Sequence, residues 1–181
     1  MRVVLVSVGS VGERVLSYLR NSLESKLRLP VEVSRDVLSV PRSAYDWRRG
    51  QYLSSEILRL VVSYALVKGI DRALGIADLD AYVSGLNFVF GEAVLGGRGA
   101  VVYLARLRPE FYSLPPSEGL FLERALKECM HELGHTFGLR HCGNPLCVMH
   151  FSNSIADTDR KLAEYCNACR SKLARFLEEV G

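Results

Sequence analysis

The run His131-Glu132-Leu133-Gly134-His135-Thr136-Phe137-Gly138-Leu139-Arg140-His141 constrains this chain more than any other stretch. On a helix, histidines four residues apart project from one face, one turn above the other. Two imidazoles placed that way can each approach one zinc ion at roughly 2.0–2.1 Å. Glu132 is rotated from His131 by about 100°, so it flanks the metal and suits proton transfer better than ligation. Gly138 can take the left-handed conformation that ends a helix. His141 then returns from outside the helix as a third ligand. The fourth position is left open, which distinguishes catalytic from structural zinc. The plainer alternative is an amphipathic helix whose histidines are surface or core groups. It does not explain why three of the chain's four histidines fall in this run.

A second metal pattern follows at once. Cys142 and Cys147 bracket the turn-forming Gly143-Asn144-Pro145, and Cys166 and Cys169 form a later pair. Two cysteine pairs separated by a short segment match a closed, four-thiolate structural zinc site. Cys166 and Cys169 are expected to share one face of a terminal helix. Arg140, Arg160, Lys161 and Arg170 are near in sequence and could offset the thiolate charge, or could be a solvated basic face. Disulfides or free thiols are the alternatives. No secretory signal is recognisable, so a reducing, cytoplasmic location is expected, although hyperthermophile cytosol does hold disulfides.

The extended H-E-x-x-H-x-x-G-x-x-H pattern is the metzincin signature. Together with Cys142-x4-Cys147-x-Met149 and Cys166-x2-Cys169, it closely resembles the archaemetzincins, metzincin-type zinc peptidases. The resemblance is strongest over residues 128–169. It extends more weakly to Gly85-Leu86-Asn87-Phe88-Val89-Phe90-Gly91 and to Arg49-Gly50-Gln51-Tyr52. It implies that His131, His135 and His141 bind catalytic zinc and that Glu132 is the general base. It further implies that Cys142, Cys147, Cys166 and Cys169 bind a second, structural zinc. Met149 would be the turn methionine beneath the catalytic metal. Astacin-like metzincins carry a tyrosine two residues beyond that methionine. Phe151 stands there in this chain, and it has no donor or ligand atom.

At 181 residues the chain fits one domain, with an N-terminal part (1–138) ending in the active-site helix and a C-terminal part (139–181) carrying the cysteines. A formal charge of +3 is too small to argue for nucleic-acid binding, and no run is apolar enough for a membrane helix. A monomer acting on peptide or protein substrates is expected. The competing reading is a zinc-stabilised peptide- or protein-binding module without catalysis. A zinc store fits less well because it does not need Glu132, and a zinc-ribbon nucleic-acid binder because the net charge is weak and no aromatic-rich basic strip is present.

Residues 2–8 read as a buried strand, followed by Gly9-Ser10-Val11-Gly12 and a helix to about Leu23. The glycines there suggest a tight connection, since the full phosphate-loop patterns are absent. Further strands are expected at Glu32–Leu38, Arg72–Asp78, Asn87–Val94 and Ala100–Leu107, with a helical pattern over 43–68. Asp78 and Asp80 at a strand end suggest turn chemistry more than a metal site. Ser117 is the expected N-cap of the active-site helix, with Leu122, Leu126, Cys129, Leu133 and Phe137 on its core face. Cys129 reads as a buried thiol, and His150 as structural or cleft-lining. The Trp47-Arg48-Arg49 cluster reads as a solvated loop, and Asp157-Thr158-Asp159 as the cap of a terminal helix over 160–179. The alternation of strands and helices indicates an α/β fold with a mixed, twisted sheet. The metzincin resemblance adds an antiparallel edge strand along the cleft and a small C-terminal, zinc-stabilised helical subdomain.

Overall fold

The computed structural model describes residues 1–180. Strand β1 (Val3–Val8) is buried along its whole length, as expected of a central strand covered on both faces. Helix α1 (Glu13–Leu27) follows, and Arg28 in left-handed conformation ends it. Strand β2 (Val31–Leu38) then pairs parallel to β1. The tight β1–α1 connection uses Gly9 at φ +72°, whose N–H donates to the Leu38 carbonyl at 2.8 Å.

Residues 42–53 depart from the helical expectation. A single 3-10 turn (Arg42–Ala44) leads into strands β3 (Tyr45–Asp46) and β4 (Gln51–Leu53), paired antiparallel. Asp46 is the reason: its Oδ1 accepts from the Arg48 N–H at 2.9 Å and its carbonyl from the Gly50 N–H at 2.9 Å. Local bonds of this kind compete with a helix. Helix α2 therefore starts at Ser54 and runs to Val67, burying Ile57, Leu58, Val61 and Ala65.

Strand β5 (Arg72–Ala77) lies parallel to β1, and the short β6 (Ala81–Tyr82) joins β4. The expected strand over 87–94 is regular only at β7 (Gly91–Ala93). Strand β8 (Gly99–Tyr103) is shorter than expected, because Leu104 turns helical and a 3-10 turn (Ala105–Leu107) follows. The main sheet has the order β2-β1-β5-β8-β7, with β7 the antiparallel edge.

The pleat divides the core in two. Val3, Leu5, Leu74, Ile76, Ala100 and Val102 face α1 and helix α3 (Glu118–Thr136). Val4, Val6, Ala73, Val101 and Tyr103 face α2. Ser117 caps α3 as expected, its Oγ accepting from the Leu120 N–H at 3.4 Å. The expected single terminal helix is instead two, α4 (Ile155–Arg160) and α5 (Asn167–Val180). Asp157 lies inside the first turn of α4 and reaches back to the Ser154 N–H at 3.0 Å, forming a capping box. Lys161 is extended and stops the helix. Tyr165, Cys169 and Leu173 from this C-terminal part join the same core as α3. Among the described residues, no helix is long and apolar enough to cross a membrane.

Candidate active site

Helix α3 carries the first two histidines into the core side of a cleft. His131 Nε2 and His135 Nε2 lie 3.1 Å apart. Two nitrogens tetrahedrally bound at 2.0–2.1 Å would be separated by roughly 3.3 Å. Each ring is fixed from behind: His131 Nδ1 meets the Val148 carbonyl at 2.8 Å, and His135 Nδ1 the Leu139 carbonyl at 2.7 Å. A carbonyl holding Nδ1–H leaves Nε2 free as a ligand. Gly138 at φ +81° ends the helix, its N–H donating to the His135 carbonyl at 2.9 Å. The reversed chain brings His141 over the pair, with ligand nitrogens of all three within 4.8 Å of one another. This donor set could hold one metal ion.

Glu132 is only 5% exposed, and the edge strand presses on it. A Cβ on Gly91 would lie 2.5 Å from Glu132 Cγ, so with Glu132 in this position only glycine fits there. Burial pushes the Glu132 carboxyl well above its usual range; Glu128 reinforces this and Lys161 opposes it. Burial also pushes His131 well down, and His135 and His141 down. Neutral imidazoles are the form that binds metal. The cleft, about 440 Å³, is lined by these groups with Gly91, Glu92 and Ala93 of β7 and with Arg140 and Phe151. A further cavity of about 500 Å³ lies elsewhere, between Leu27 at the end of α1 and Leu173 of α5, and contains none of the clustered histidines or cysteines.

Met149 is fully buried beneath α3. A Cβ on Gly134 would collide with Met149 Sδ, so the glycine lets the methionine reach the helix. The Met149 carbonyl accepts from the Cys142 N–H at 2.9 Å, tying that turn to the segment that delivers His141.

The cysteines converge as well. The sulfurs of Cys142, Cys147, Cys166 and Cys169 all lie within 4.8 Å of one another. Cys142 and Cys166 are 3.8 Å apart. A disulfide needs about 2.05 Å, whereas two thiolates on one zinc at 2.3 Å sit roughly 3.8 Å apart. Cys166 precedes α5 instead of lying on it. The Cys169 N–H in the first turn holds the Cys166 thiol down at about 7, while burial raises Cys147. Cys129 lies apart, fully buried, with its thiol pushed well up by desolvation.

Other residues flagged by sequence take structural places. Asp78 and Asp80 are each gripped by two bonds from an arginine, Arg108 at 2.6 and 2.7 Å and Arg106 at 2.6 and 2.9 Å. His150 Nδ1 is bound to the Cys142 carbonyl at 3.0 Å. The Phe151 ring packs 4.9 Å from His141. Trp47 is 76% exposed and Arg48 and Arg49 are exposed too, as expected of a solvated loop, but Arg49 also has fixed partners. It stacks 4.0 Å over Tyr82 and donates to the carbonyls of Leu86 and Asn87 at 3.2 and 3.0 Å, fixing the cleft's rim. Lys161 does not face the thiolates: it is wholly buried, with Nζ 2.9 Å from Glu128 Oε1. Sequence reasoning missed Glu128 altogether. Its position one turn before Glu132 on α3 was the available signal.

A buried carboxylate beside three convergent imidazoles, open to a cleft along a strand edge, places the fold among the zinc metallopeptidases. Comparison with known proteins makes the assignment specific. The model for Peptidase family M54 matches residues 9–175. An archaemetzincin from Pyrococcus abyssi is 46% identical over 179 residues, covering 97% of this chain and 95% of its own. The crystal structure of archaemetzincin from Methanopyrus kandleri superimposes with a TM-score of 0.84 at 38% identity, over 98% of this chain and 96% of that one. A zinc-dependent peptidase from Methanocorpusculum labreanum gives 0.85 at 27%, over 94% and 99%. The chain belongs to Peptidase family M54, the archaemetzincins. It is a zinc-dependent metallopeptidase and not merely a metal-stabilised binding module.

Proposed function

We propose that His131, His135 and His141 hold the catalytic zinc, that Glu132 is the general base and acid, and that the four cysteines hold a second, structural zinc. The observation that carries this reading is the 3.1 Å approach of His131 and His135 Nε2, with both Nδ1 atoms engaged by carbonyls. Zinc in that donor set supplies polarisation of the peptide carbonyl and a lowered pKa for water. Glu132, whose carboxylate burial makes more basic, takes the proton from the attacking water and returns it to the leaving amine. The outer edge of β7 offers backbone N–H and C=O groups with which an extended substrate can pair. Phe151 contributes no hydroxyl, so carbonyl polarisation falls to the metal and other cleft groups. Met149 and the Cys142–Cys169 cluster act as the footing that fixes His141. On this reading 1–138 and 139–181 are two functional parts of one domain, sharing a core. The finer readings are a cytoplasmic monomer and removal of residues from a peptide's N-terminus.

Elemental mass spectrometry on protein purified without added zinc should give two zincs per chain. Glu132→Ala should keep both and lose hydrolysis, and Cys166→Ser should lose at least one. Unchanged turnover in Glu132→Ala sinks the mechanism. Equal cleavage of free and acetylated N-termini sinks the aminopeptidase reading.

A further inference from the structure

Beside Glu132 a small recess of about 50 Å³ opens from the cleft. Its walls include Phe88, Phe90 and Phe151, and its polar lining is Glu128 and Ser152 together with His131 and Glu132 of the site itself. Glu128 accepts from Thr158 Oγ1 at 2.9 Å and meets Lys161 Nζ at 2.9 Å, both on Oε1. Neither contact uses Oε2. The Lys161 contact is an ion pair whose angles fall short of a hydrogen bond, and Nζ has no other partner among the described residues. Ser152 Oγ is also buried with no partner among the described residues.

We infer that this recess selects the side chain of one substrate residue flanking the scissile bond, and that it takes a short, uncharged side chain with a hydrogen-bonding tip, such as asparagine or threonine. The inference rests on the proposed cleft and on Glu132 as its catalytic group. Size comes first: at roughly 10–15 Å³ per water-sized body, the space holds about three to five heavy atoms. Aromatic and arginine side chains are too large, and lysine sits at the limit. The Glu128 carboxylate repels an acidic one, and Lys161 already balances its charge. Leucine or valine would fit, but neither could bond the unpartnered Ser152 Oγ or the Glu128 carboxylate. A polar site left unpaired discriminates far more strongly than a methylene does.

The test uses a hexapeptide series with Asn, Thr, Leu, Phe, Lys or Asp placed in turn on either side of the cleaved bond. Cleavage by the zinc-loaded enzyme is followed by mass spectrometry, and binding to zinc-loaded Glu132→Gln protein by calorimetry. At one flanking position Asn and Thr should exceed Leu and Phe by about tenfold or more. Ser152→Ala should narrow that gap. Replacing the whole ion pair, Glu128→Leu with Lys161→Met, should shift the preference to Leu. Equal or better binding of the Leu, Phe, Lys or Asp peptides overturns the inference, as does a rank order unchanged in both variants. Should the peptides bind in the expected order and stay uncleaved by the wild-type enzyme, the recess stands and the peptidase mechanism through Glu132 fails.

Discussion

At the scale of the residue, burial sets the chemistry. The three histidines are held down by desolvation and Glu132 is held up by it. The two effects have opposite consequences for stability. A histidine depressed in the fold contributes stability that is full above its unfolded value of about 6.5 and lost as pH falls below it. A glutamate raised in the fold costs stability as pH rises above its unfolded value, about 4.3. Metal-free Glu132→Gln protein, freed of that cost, should melt no lower than wild type at pH 7. Its melting temperature should then fall between pH 7 and pH 5, when followed by circular dichroism. A flat profile over that interval would mean that the histidines are not buried neutral. The residue types were legible beforehand, because the spacing of His131, Glu132 and His135 alone puts two imidazoles on one helix face. Their degree of burial was not, since it depends on what packs over α3.

At the scale of the element, the site is made by one helix, one strand and one reversal. Gly91 on β7 admits Glu132 because it lacks a Cβ. Gly91→Ala should therefore push the carboxylate aside while leaving the histidines where they are. Turnover should drop by about 10²-fold, the cost of misplacing a catalytic group by an ångström, with zinc content unchanged by elemental analysis. Loss of zinc in that variant would show that Gly91 supports the metal site instead. Strong hydrophobic periodicity made β1, β5 and α3 readable from sequence. The hairpin before α2 and the start of a separate helix α4 at Ile155 were not, because Asp46 and Asp157 use their side chains to redirect the backbone locally. An aspartate makes such bonds in a turn or within a helix's first turn, and sequence does not say which.

At the scale of the whole molecule, the buried Glu128–Lys161 pair ties α3 to the C-terminal part. Lys161→Met alone should destabilise by roughly 3–5 kcal/mol, because Glu128 would then be buried without its counter-charge. Adding Glu128→Leu should recover most of that loss in denaturant unfolding. Additive losses would contradict the pairing. The sequence by itself determined the chemistry: ligand types, their spacing, the glycine that turns His141 back, and the family. Local geometry suffices for these, since each rests on residues a turn or two apart. Only the tertiary structure decided that Arg49 braces the cleft rim, that Lys161 serves Glu128 and not the thiolates, and that β7 leaves room for Glu132. Each of those contacts joins segments about thirty or more residues apart. A charged side chain's partner across such a distance is fixed by packing, which no local pattern records.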